Sequence, residues 1–520
     1  MCGKAEMRKK YLLGLDYGTG SAKSCVIDDE ANVLAYANRE YPIITQHVGW
    51  SEHDASRYWE IACELIEESV SKSGVPVSNI AAIAVSSALP SMVMIDAQGN
   101  CVNNAYNLMD RRAVKQVAMI KQQLGEEVVF DLTGNRLEDH PVLINVLWEK
   151  ENRPQDFAKI HKVLTIDGYI SYKLTGRATV NYSAAAFYGI AYDIRKNEFN
   201  GDMLRRIGID NALLPELCAC DEVIGEISTA ASYETGLTSA TKVAGGQVDC
   251  NAGWVGAGAI EPGDIQMNLG TCGNFGIIHK DDTFHDTMIA FPYTVNAKET
   301  YITVPTTTTG GQALRYIRDN FSHAERAAES LSGMDTYQML NVQAESIDPG
   351  SNGLVLLPYL MGERTPIWDV YAKGVVFGLS LRHTKAHIVR ATMESVAYAL
   401  YDSFRIIKET GIKIKYPLVL NEGGAKSVLW RRIITDVFNV PTVMVKNRIG
   451  APYGDAILAG VAAGVFGDFL IAKERAEYVD LMEPDTDNHK TYMDYFKIYK
   501  NIYTHLKEDF VDLYNINKDK

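Results

Sequence analysis

A short segment near the start of the chain combines the side chains that a phosphate site needs. Between two apolar runs, residues 16–21 supply one carboxylate, two glycines and two hydroxyls, namely Asp16, Gly18, Thr19, Gly20 and Ser21. Glycine lets backbone amides approach a phosphate, and hydroxyl groups add further donors. A carboxylate at the end of the preceding strand, here Asp16, could hold Mg²⁺ directly or through water. The competing interpretation is an ordinary hairpin turn, because Gly, Ser and Thr are typical turn residues.

A second candidate is Asp249, which stands among small residues in GGQVDCNAGWVGAG, residues 245–258. A carboxylate at the mouth of a cleft could accept the proton of an attacking alcohol, as a kinase for alcohols requires. The alternative is an Asp that caps a helix N-terminus. A carboxylate is normally a weak base at pH 7. We therefore expect Asp249 to act more by positioning the hydroxyl than by base strength.

Two glycine pairs are candidates for the nucleotide site. Gly423 and Gly424 follow a predicted strand and open a helix in NEGGAKS, where a flat adenine could lie against the backbone. Gly310 and Gly311 in TTTTGGQAL could form another wall of that site. A tight turn, or a polar loop with a helix cap, remains the alternative for each pair.

Familiar nucleotide motifs do not occur in this sequence. Neither GxxxxGK[ST] nor a strand-linked GxGxxG is present, so a nucleotide must be bound by another architecture. The loop GERTPIWD, residues 362–369, contains two charged residues and a proline near its start. A structural salt bridge is the default expectation for this loop.

The elements that must position these residues follow from hydrophobic periodicity. The first part of the chain predicts a strand–turn–strand unit over 11–29, a third strand in 31–41, a helix over 54–73 with Asp54 as its N-cap, and a buried strand at 80–87. The later part predicts strand structure at 264–278, a helix over 386–408, a strand–loop–helix unit over 417–438 and a small-residue helix over 452–466. Strands that alternate with helices in this order predict a layered α/β fold.

A faint internal repeat connects the two parts. LDYGTGSAKSCVI at 15–27 can be aligned with MNLGTCGNFGIIH at 267–279, which places Gly18-Thr19 on Gly270-Thr271. Gly270 and Thr271 are therefore candidates for a second phosphate loop. The repeat predicts two similar domains that each offer one Gly-Thr hairpin to a shared cleft, where they could hold the two ends of a triphosphate.

Composition limits the class of protein. The chain has 520 residues, 47% of them hydrophobic, and a net charge of -14, so two or more globular domains are expected. The negative charge argues against nucleic acid or an anionic membrane as the main partner. We find no apolar run long enough to span a membrane. The eight cysteines show neither zinc-ligand spacing nor a disulfide framework, so a cytoplasmic location is expected.

Several ordered motifs resemble the FGGY carbohydrate kinases, the family of xylulokinase, glycerol kinase and ribulokinase. The resemblance covers roughly residues 11–505. It rests on the segments GWSEHD, LTGRATVNYSAAA, PYLMGERTPIWDVYAKG, GVVFGLSLRHTKAHIVRATME and NEGGAKSVLWRRIITDVF. It implies an α/β fold of two ribonuclease-H-like, actin-like ATPase domains with mixed sheets, flanking helices and a cleft between them. The expected domains are 1–256, which binds sugar, and 257–520, which binds nucleotide.

The resemblance also implies roles for individual residues. Asp16 would lie near Mg²⁺, and Asp249 would be the general base and contact the substrate. The residues implied for ATP are Gly18, Thr19, Gly20, Ser21, Gly270, Thr271, Gly310, Gly311, Gly423, Gly424 and Ala425, with Ser427 beside them. Asp110 and Arg112, in NLMDRRA, match the family's Asp-x-Arg near the sugar.

Two departures concern the substrate. Xylulokinases carry Gln-Met-His-Gly after the buried strand, whereas Leu89-Pro90 occupy that region here. The family's N-terminal signature has Lys three residues before its Trp, and Asn145 precedes Trp148 instead. We therefore expect an ATP- and Mg²⁺-dependent kinase for a terminal hydroxyl of a small sugar or polyol. A pentulose such as D-xylulose is the default acceptor.

Other readings remain open. Within the enzyme class they are kinases for hexulose, tetritol or autoinducer-2-type substrates. Outside it they are an actin-like ATPase and a sugar sensor without kinase activity. A homodimer is also left open.

Overall fold

The computed structural model describes residues 9–446 and 449–517, which form two mixed β-sheets flanked by helices. The strands of the first sheet are β1 (Tyr11–Tyr17), β2 (Ser21–Asp28), β3 (Val33–Glu40), β4 (Ile80–Ser87), β5 (Val223–Glu226), β6 (Lys242–Ala244) and β7 (Gln247–Val248). Their order is β5-β6-β4-β1-β2-β3, and β7 continues the pairing along β4. The predicted strands at 11–29, 31–41 and 80–87 are thereby confirmed.

The second sheet is built from the later part of the chain. Its strands are β8 (Ile265–Leu269), β9 (Gly273–His279), β10 (Ala290–Pro292), β11 (Tyr301–Thr303), β12 (Thr306–Thr307), β13 (Leu418–Asn421), β14 (Thr442–Val445) and β15 (Tyr478–Met482). Their order is β10-β11-β9-β8-β13-β14-β15, and β12 pairs with β9.

Apart from the additional edge strand β10 in the second, the two sheets share one spatial arrangement of strands, so the internal repeat is a repeat of structure. In each, an antiparallel meander (β1-β2-β3 or β8-β9-β11) is extended on the other side of its first strand by two parallel strands. An antiparallel strand, β5 or β15, then closes that edge. The aligned Gly-Thr segments are the first hairpin of each sheet, as the sequence predicts.

Helices cover both sheets. The principal ones are α1 (Ala55–Ser73), α2 (Asp249–Gly256), α3 (Gly311–Phe321), α4 (Lys385–Glu409), α5 (Val428–Phe438), α6 (Ala451–Ala462) and α7 (Thr486–Asn517). Asp54 is the N-cap of α1, where its side chain accepts from the Ser56 amide at 3.0 Å. The apolar stripe of α4, from Val389 to Ile407, is buried in the second core. Both predictions are confirmed.

Smaller elements complete the layers. The remaining helices of six residues or more are Val114–Leu124, Glu126–Thr133, Val142–Asn152, Ile166–Thr175, Gly201–Ile207, Thr229–Thr235, His323–Ser332, Thr336–Glu345 and Leu470–Arg475. Short two-stranded sheets pair Glu52–His53 with Ala105–Tyr106, Val93–Ile95 with Lys162–Leu164, Thr179–Asn181 with Glu216–Cys218, Tyr192–Asp193 with Glu198–Phe199, and Val355–Leu357 with Val375–Phe377. Within the described ranges, no helix has the length and apolar character needed to cross a membrane.

The small-residue helix α6 connects the two halves of the chain in space. Although it follows the second sheet in sequence, its residues 456–459 are buried in the same core as Leu12 and Ala82 of the first sheet. A Cβ on Gly454 would lie 1.9 Å from the Ala252 carbonyl oxygen of α2, so the two helices cross at backbone contact. The expected domain boundary at 256/257 stays a prediction. α6 belongs to the second half in sequence, but it packs against the first half.

Candidate active site

The first Gly-Thr hairpin is both a turn and an accessible loop. The Gly18 amide donates to the Ser21 carbonyl at 2.9 Å, which closes the turn between β1 and β2. Tyr41, just after β3, donates its amide to the Gly20 carbonyl at 3.1 Å and its hydroxyl to the Gly18 carbonyl. Gly20 is exposed, and Thr19 is partly so. The two interpretations of this segment are therefore compatible, because a fixed turn presents its tip to the cleft.

Asp16 lies at the end of β1, buried beside a cation that sequence reasoning missed. Burial raises the pKa of Asp16, although Lys23 opposes this shift with its Nζ 3.5 Å from Oδ2. Burial lowers the pKa of Lys23, but Asp16 more than offsets this, so the net shift is upward. The hairpin register pairs Asp16 with Lys23, so counting back along the two predicted strands could have found this residue.

Asp249 reaches the same edge of the first sheet by a different route. β7 continues the parallel pairing along β4, with Gln247 opposite Ser86, and α2 begins directly after it at Asp249. Since β4 also pairs Ser86 with Asp16, the two carboxylates share the carboxyl edge of the sheet. The Asp249 side chain is partly exposed and accepts from the Cys250 amide at 2.7 Å. The alternative prediction, that Asp249 caps a helix, is wrong by one residue: the N-cap is Val248, and Asp249 is the first helical residue.

The environment of Asp249 makes it a stronger base than an ordinary carboxylate. Burial and, second, the negative charge of Asp16 raise the pKa of Asp249 to about 7, although Lys23 and the Cys250 amide oppose the shift. A carboxyl group with a pKa near 7 can accept a proton at neutral pH. The expectation that Asp249 acts mainly by positioning stays a prediction.

A buried hydrogen-bond chain behind Asp16 was also missed by sequence reasoning. The Ser86 hydroxyl lies 2.7 Å from Asp455 Oδ2 and 3.2 Å from Asp16 Oδ1. Gln247 donates to Asp455 Oδ1 at 2.9 Å. Burial raises the pKa of Asp455 well above its usual value. The chain joins α6 to the first sheet behind Asp16, and no local sequence signal relates Asp455 to a residue so far away.

The second hairpin presents Gly270 and Thr271 at its tip and is supported from outside. The amides of Gly310 and Gly311 donate to the carbonyls of Thr271 and Gly270 at 3.0 and 2.6 Å. A Cβ on Gly310 would lie 2.4 Å from the Gly273 nitrogen, and one on Gly311 would lie 2.6 Å from the Gly270 oxygen. The glycine pair therefore lets backbone meet backbone. Its predicted role as a wall of the nucleotide site stays a prediction.

The third glycine segment lies at the same end of the second sheet. β13 pairs in parallel with β8, with Asn421 opposite Asn268, so the turn after β13 lies next to the second hairpin. Gly423 is exposed, whereas the side chains of Ala425 and Ser427 are buried and Ser427 caps α5 by accepting from the Trp430 amide at 3.1 Å. Glu422, in this turn, contributes to the upward shift in the pKa of Asp16 that burial dominates. The turn after β13 therefore acts electrostatically on Asp16 of the first sheet.

A pocket between the two halves is lined by Leu89 and Pro90, two of the residues predicted to contact the sugar, whereas Asp110, Arg112 and Asp249 do not line it. We call it the acceptor pocket. Its walls include Leu89 and Pro90 from the first half, Met288 and Phe291 from the second, and the ionisable side chains Arg136, Glu138, His140 and Arg364. Asn135 joins its two sides by exchanging hydrogen bonds with the Ala290 backbone at 2.7 and 2.9 Å.

Asp110 and Arg112 form an enclosed ion pair. Arg112 binds Asp110 and Glu52, each at 2.7 Å, and lies over the rings of Trp50 and Tyr106 at 3.9 and 3.7 Å. The side chains of Asp110 and Arg112 are 0% exposed. They fasten the loop around Trp50 and face no open surface, so their expected contact with sugar stays a prediction.

The salt bridge expected in GERTPIWD is wrong. Glu363 accepts from the Thr307 hydroxyl at 2.5 Å and from the amides of Thr308 and Arg364 at 2.7 Å each. Its carboxylate is thereby turned toward β12, which pairs with β9 of the second hairpin. Burial raises the pKa of Glu363 to about 7. Hydrogen bonds from two threonines hold the loop. A salt bridge would instead require a cation to lose its water, which costs free energy.

Comparisons with known proteins agree with this arrangement. The N-terminal domain model of the FGGY family of carbohydrate kinases matches residues 11–256, and the C-terminal domain model matches 266–463. A xylulose kinase from Bacillus subtilis is 30% identical over 505 residues, 96% of this chain and 98% of that protein. A gluconokinase from the same organism is 27% identical over 504 residues, 97% of each chain.

A solved structure of ligand-bound xylulose kinase from Lactobacillus acidophilus superposes with a TM-score of 0.88 at 26% identity, over 97% of this chain and 100% of that one. The actin-like architecture expected from the sequence is thereby confirmed. The chain belongs to the FGGY family of carbohydrate kinases and is an ATP-dependent carbohydrate kinase.

Proposed function

We propose that this kinase transfers the γ-phosphoryl group of ATP to a terminal hydroxyl of a small ketose, with a pentulose such as D-xylulose as the preferred acceptor. The observation that carries the proposal is Asp249, a partly exposed carboxylate with a pKa of about 7 at the cleft edge of the first sheet. The xylulose kinases among its relatives favour a pentulose. Gluconokinase is also a near relative, which keeps a six-carbon acceptor open.

The reaction needs three tasks from the protein. The tips of the two Gly-Thr hairpins would hold the phosphates, because both are accessible and both lie at the ends of strands that face the cleft. Asp249 would orient the acceptor hydroxyl and accept its proton as the oxygen attacks phosphorus. The enclosed acceptor pocket would exclude water, which would otherwise compete with the sugar hydroxyl.

Asp16 is the proposed Mg²⁺ ligand. Hard carboxylate oxygens suit this ion, which proteins usually bind through one or two carboxylates together with substrate phosphates. Among the residues that the structure describes, the buried Asp16 carboxylate has only a hydroxyl and a 3.5 Å lysine contact to offset its charge, so the donor set fits a cation. Bound Mg²⁺ would neutralise charge on the phosphates during transfer.

The test is ADP release from Mg·ATP in the presence of pentuloses, hexuloses, tetritols, glycerol and gluconate. We expect turnover to depend on the acceptor and to be greatest with a pentulose. Asp249→Asn should bind ADP normally and lose activity by roughly 100- to 10,000-fold, the range for a lost general base. Asp29→Asn removes an exposed carboxylate of the same domain and is the matched control.

Three outcomes would change the proposal. ATP hydrolysis that ignores every acceptor would favour the actin-like ATPase. A preference for gluconate or a tetritol would replace the pentulose. Near-normal turnover by Asp249→Asn would remove Asp249 from the chemistry.

A further inference from the structure

Arg364 is a cation that faces the acceptor pocket without a partner. Its guanidinium forms no hydrogen bond or ion pair with any residue in 9–446 or 449–517. Arg111, close by, binds Asp139 at 2.6 Å, and Arg112 is enclosed by two carboxylates and two rings. The pocket therefore contains one arginine with no direct hydrogen-bond or ion-pair partner among the described residues, although Glu138 and Glu363 act on it as nearby negative charges.

Glu363, the residue before Arg364, uses its carboxylate in other hydrogen bonds. Glu363 would be the natural partner, but its carboxylate accepts from Thr307, Thr308 and the Arg364 amide. The same hydrogen bonds fix the Arg364 backbone to β12 and, through it, to the second hairpin. The backbone that bears the guanidinium is therefore fixed to the strand that pairs with the proposed second phosphate hairpin.

The guanidinium lines the acceptor pocket and also acts electrostatically on Cys272 in the second hairpin. Burial raises the pKa of the Cys272 thiol, and Arg364 counteracts part of that shift, so the cation lies near the tip of the second hairpin. Burial and the like charge of Arg111 lower the pKa of Arg364 itself. An anion that arrived here would favour the charged guanidinium and offset the lowering of the Arg364 pKa.

We propose that Arg364 binds the phosphoryl group while it moves from ATP to the acceptor, and then holds it in the phosphorylated product. This inference rests on the phosphoryl transfer proposed above. In that step the acceptor oxygen bonds to the γ-phosphorus, the bond to the β-phosphate oxygen breaks, and its electron pair leaves on ADP. The hydroxyl proton goes to Asp249. Arg364 stays protonated and donates hydrogen bonds to the equatorial oxygens.

A carboxylate on an acidic acceptor is the competing occupant. Two observations favour the phosphoryl group. Arg364 lies beside the phosphate hairpin, and Glu138, a carboxylate in the same pocket, would repel a second carboxylate that stayed there. A transferring phosphoryl group occupies the boundary between pocket and hairpin, where the guanidinium is.

The test compares Arg364→Gln and Arg364→Lys with the parent protein, and uses Arg315→Gln, which removes a half-exposed surface cation, as the control. With the best acceptor, Arg364→Gln should lower kcat by roughly 100- to 1,000-fold, as expected for a lost donor to a developing anion. The KM values for ATP and acceptor should change by less than about threefold, because these ground-state contacts come from elsewhere. Arg364→Lys should recover part of kcat.

A binding measurement separates this inference from the proposed function. Mg·ADP with aluminium fluoride, a mimic of the phosphoryl group in transfer, should raise the Tm of the parent and of Arg315→Gln well above Mg·ADP alone. Arg364→Gln should lose that additional shift and keep the shift from Mg·ADP. This result would support the role of Arg364 even if no sugar in the panel were phosphorylated.

Other results would overturn it. An equal aluminium fluoride shift in parent and Arg364→Gln would show that the guanidinium does not contact the phosphoryl group. A kcat for Arg364→Gln within twofold of the parent would do the same. Loss of activity confined to gluconate and other acidic acceptors would assign Arg364 to the acceptor carboxylate. If Arg364→Gln does not fold, the kcat and aluminium fluoride shift of Arg364→Lys decide by the same criteria.

Discussion

In the first hairpin Asp16 lies opposite Lys23, whereas in the second Asn268 lies opposite Asn274. The charged pair has a 3.5 Å contact between Nζ and Oδ2, and the neutral pair has a 3.3 Å amide hydrogen bond. The lengths of the connections also differ. Between the last paired residues, the first hairpin leaves 18–21 unpaired across it and the second leaves 270–272. Two copies of one topology therefore carry different chemistry at the same place.

Their supports differ as well. The first hairpin is fastened by Tyr41 from the end of the adjacent strand, whereas the second rests on the backbone of Gly310-Gly311. Asp16 and Asp249 lie at the first hairpin, whereas the carboxylates near the second, Glu363 and Glu422, belong to neighbouring loops. Under the proposed function both hairpins are phosphate loops, and the charges at the strand ends divide the work between them.

The largest expected effect comes from making the first hairpin like the second. Asp16→Asn should reduce kcat by roughly 100- to 1,000-fold, the range for removing one group that stabilises developing charge. The variant should also need more Mg²⁺ for half-maximal rate. Steady-state kinetics across a Mg²⁺ titration measure both effects.

Asn268→Asp, which places a carboxylate in the second hairpin, is the reciprocal variant. It should weaken ATP binding by repulsion without creating a functional second cation site. Equal losses in the two variants would mean that the hairpins are interchangeable.

The pH dependence should expose the carboxylate pair. A pKa of about 7 for Asp249 means that this group is protonated below pH 7 and cannot accept a proton there. With both substrates below their KM values, kcat/KM should fall about tenfold for each pH unit below 7. The charged groups that act on Asp249 are Asp16, Lys23 and Asp167.

The same pair can be tested in the resting protein. Carbon-13 NMR of the Asp249 carboxyl carbon should give a lower pKa in Asp16→Asn, because the like charge that raises it is gone. Asn268→Asp should leave this pKa unchanged. A profile that stays flat down to pH 5 would contradict the raised pKa.

The local sequence pattern predicted the strands and helices well, because hairpins and repeats depend on residues that are contiguous in the chain. The Gly-Thr segments, the capped helix after Asp54 and the strand–loop–helix unit around Gly423 all formed where periodicity placed them. Lys23 was within reach too, since the register of a hairpin follows from its turn. The repeat also gave the correct pairing of the two domains, which share topology although few residues match.

Contacts between distant segments could not be predicted in this way. Asp455 joins Ser86 and Gln247 only because α6 returns from the end of the chain to the first sheet. Glu363 accepts hydrogen bonds from two threonines and forms no ion pair with the described residues, because β12 brings those donors to it. Such choices depend on burial and on competing partners, which only the assembled fold defines.

A smaller effect should separate the supports of the hairpins. Gly310→Ala places a Cβ 2.4 Å from the Gly273 nitrogen, whereas a Cβ on Gly20 meets nothing within 4 Å. Gly310→Ala should lower the free energy of unfolding by about 1–3 kcal/mol, as overpacking does, and raise the KM for ATP. Gly20→Ala should leave stability nearly unchanged. Thermal unfolding with and without ADP measures both, and equal stability losses would argue against a rigid backbone support.

The smallest expected effect concerns the two threonine hydroxyls. Thr271→Val should raise the KM for ATP by roughly 2- to 12-fold, because one hydrogen bond contributes about 0.5–1.5 kcal/mol. The KM for the acceptor should stay nearly constant, since Thr271 lies at the exposed tip of the second hairpin and does not line the acceptor pocket. Thr19→Val is the matched change in the first hairpin. If the loops hold different phosphates, the two free-energy losses should add in the double variant. A rise in the acceptor KM that exceeds the rise in the ATP KM for Thr271→Val would instead place the second hairpin on the sugar side, and the division of work between the hairpins would have to be reversed.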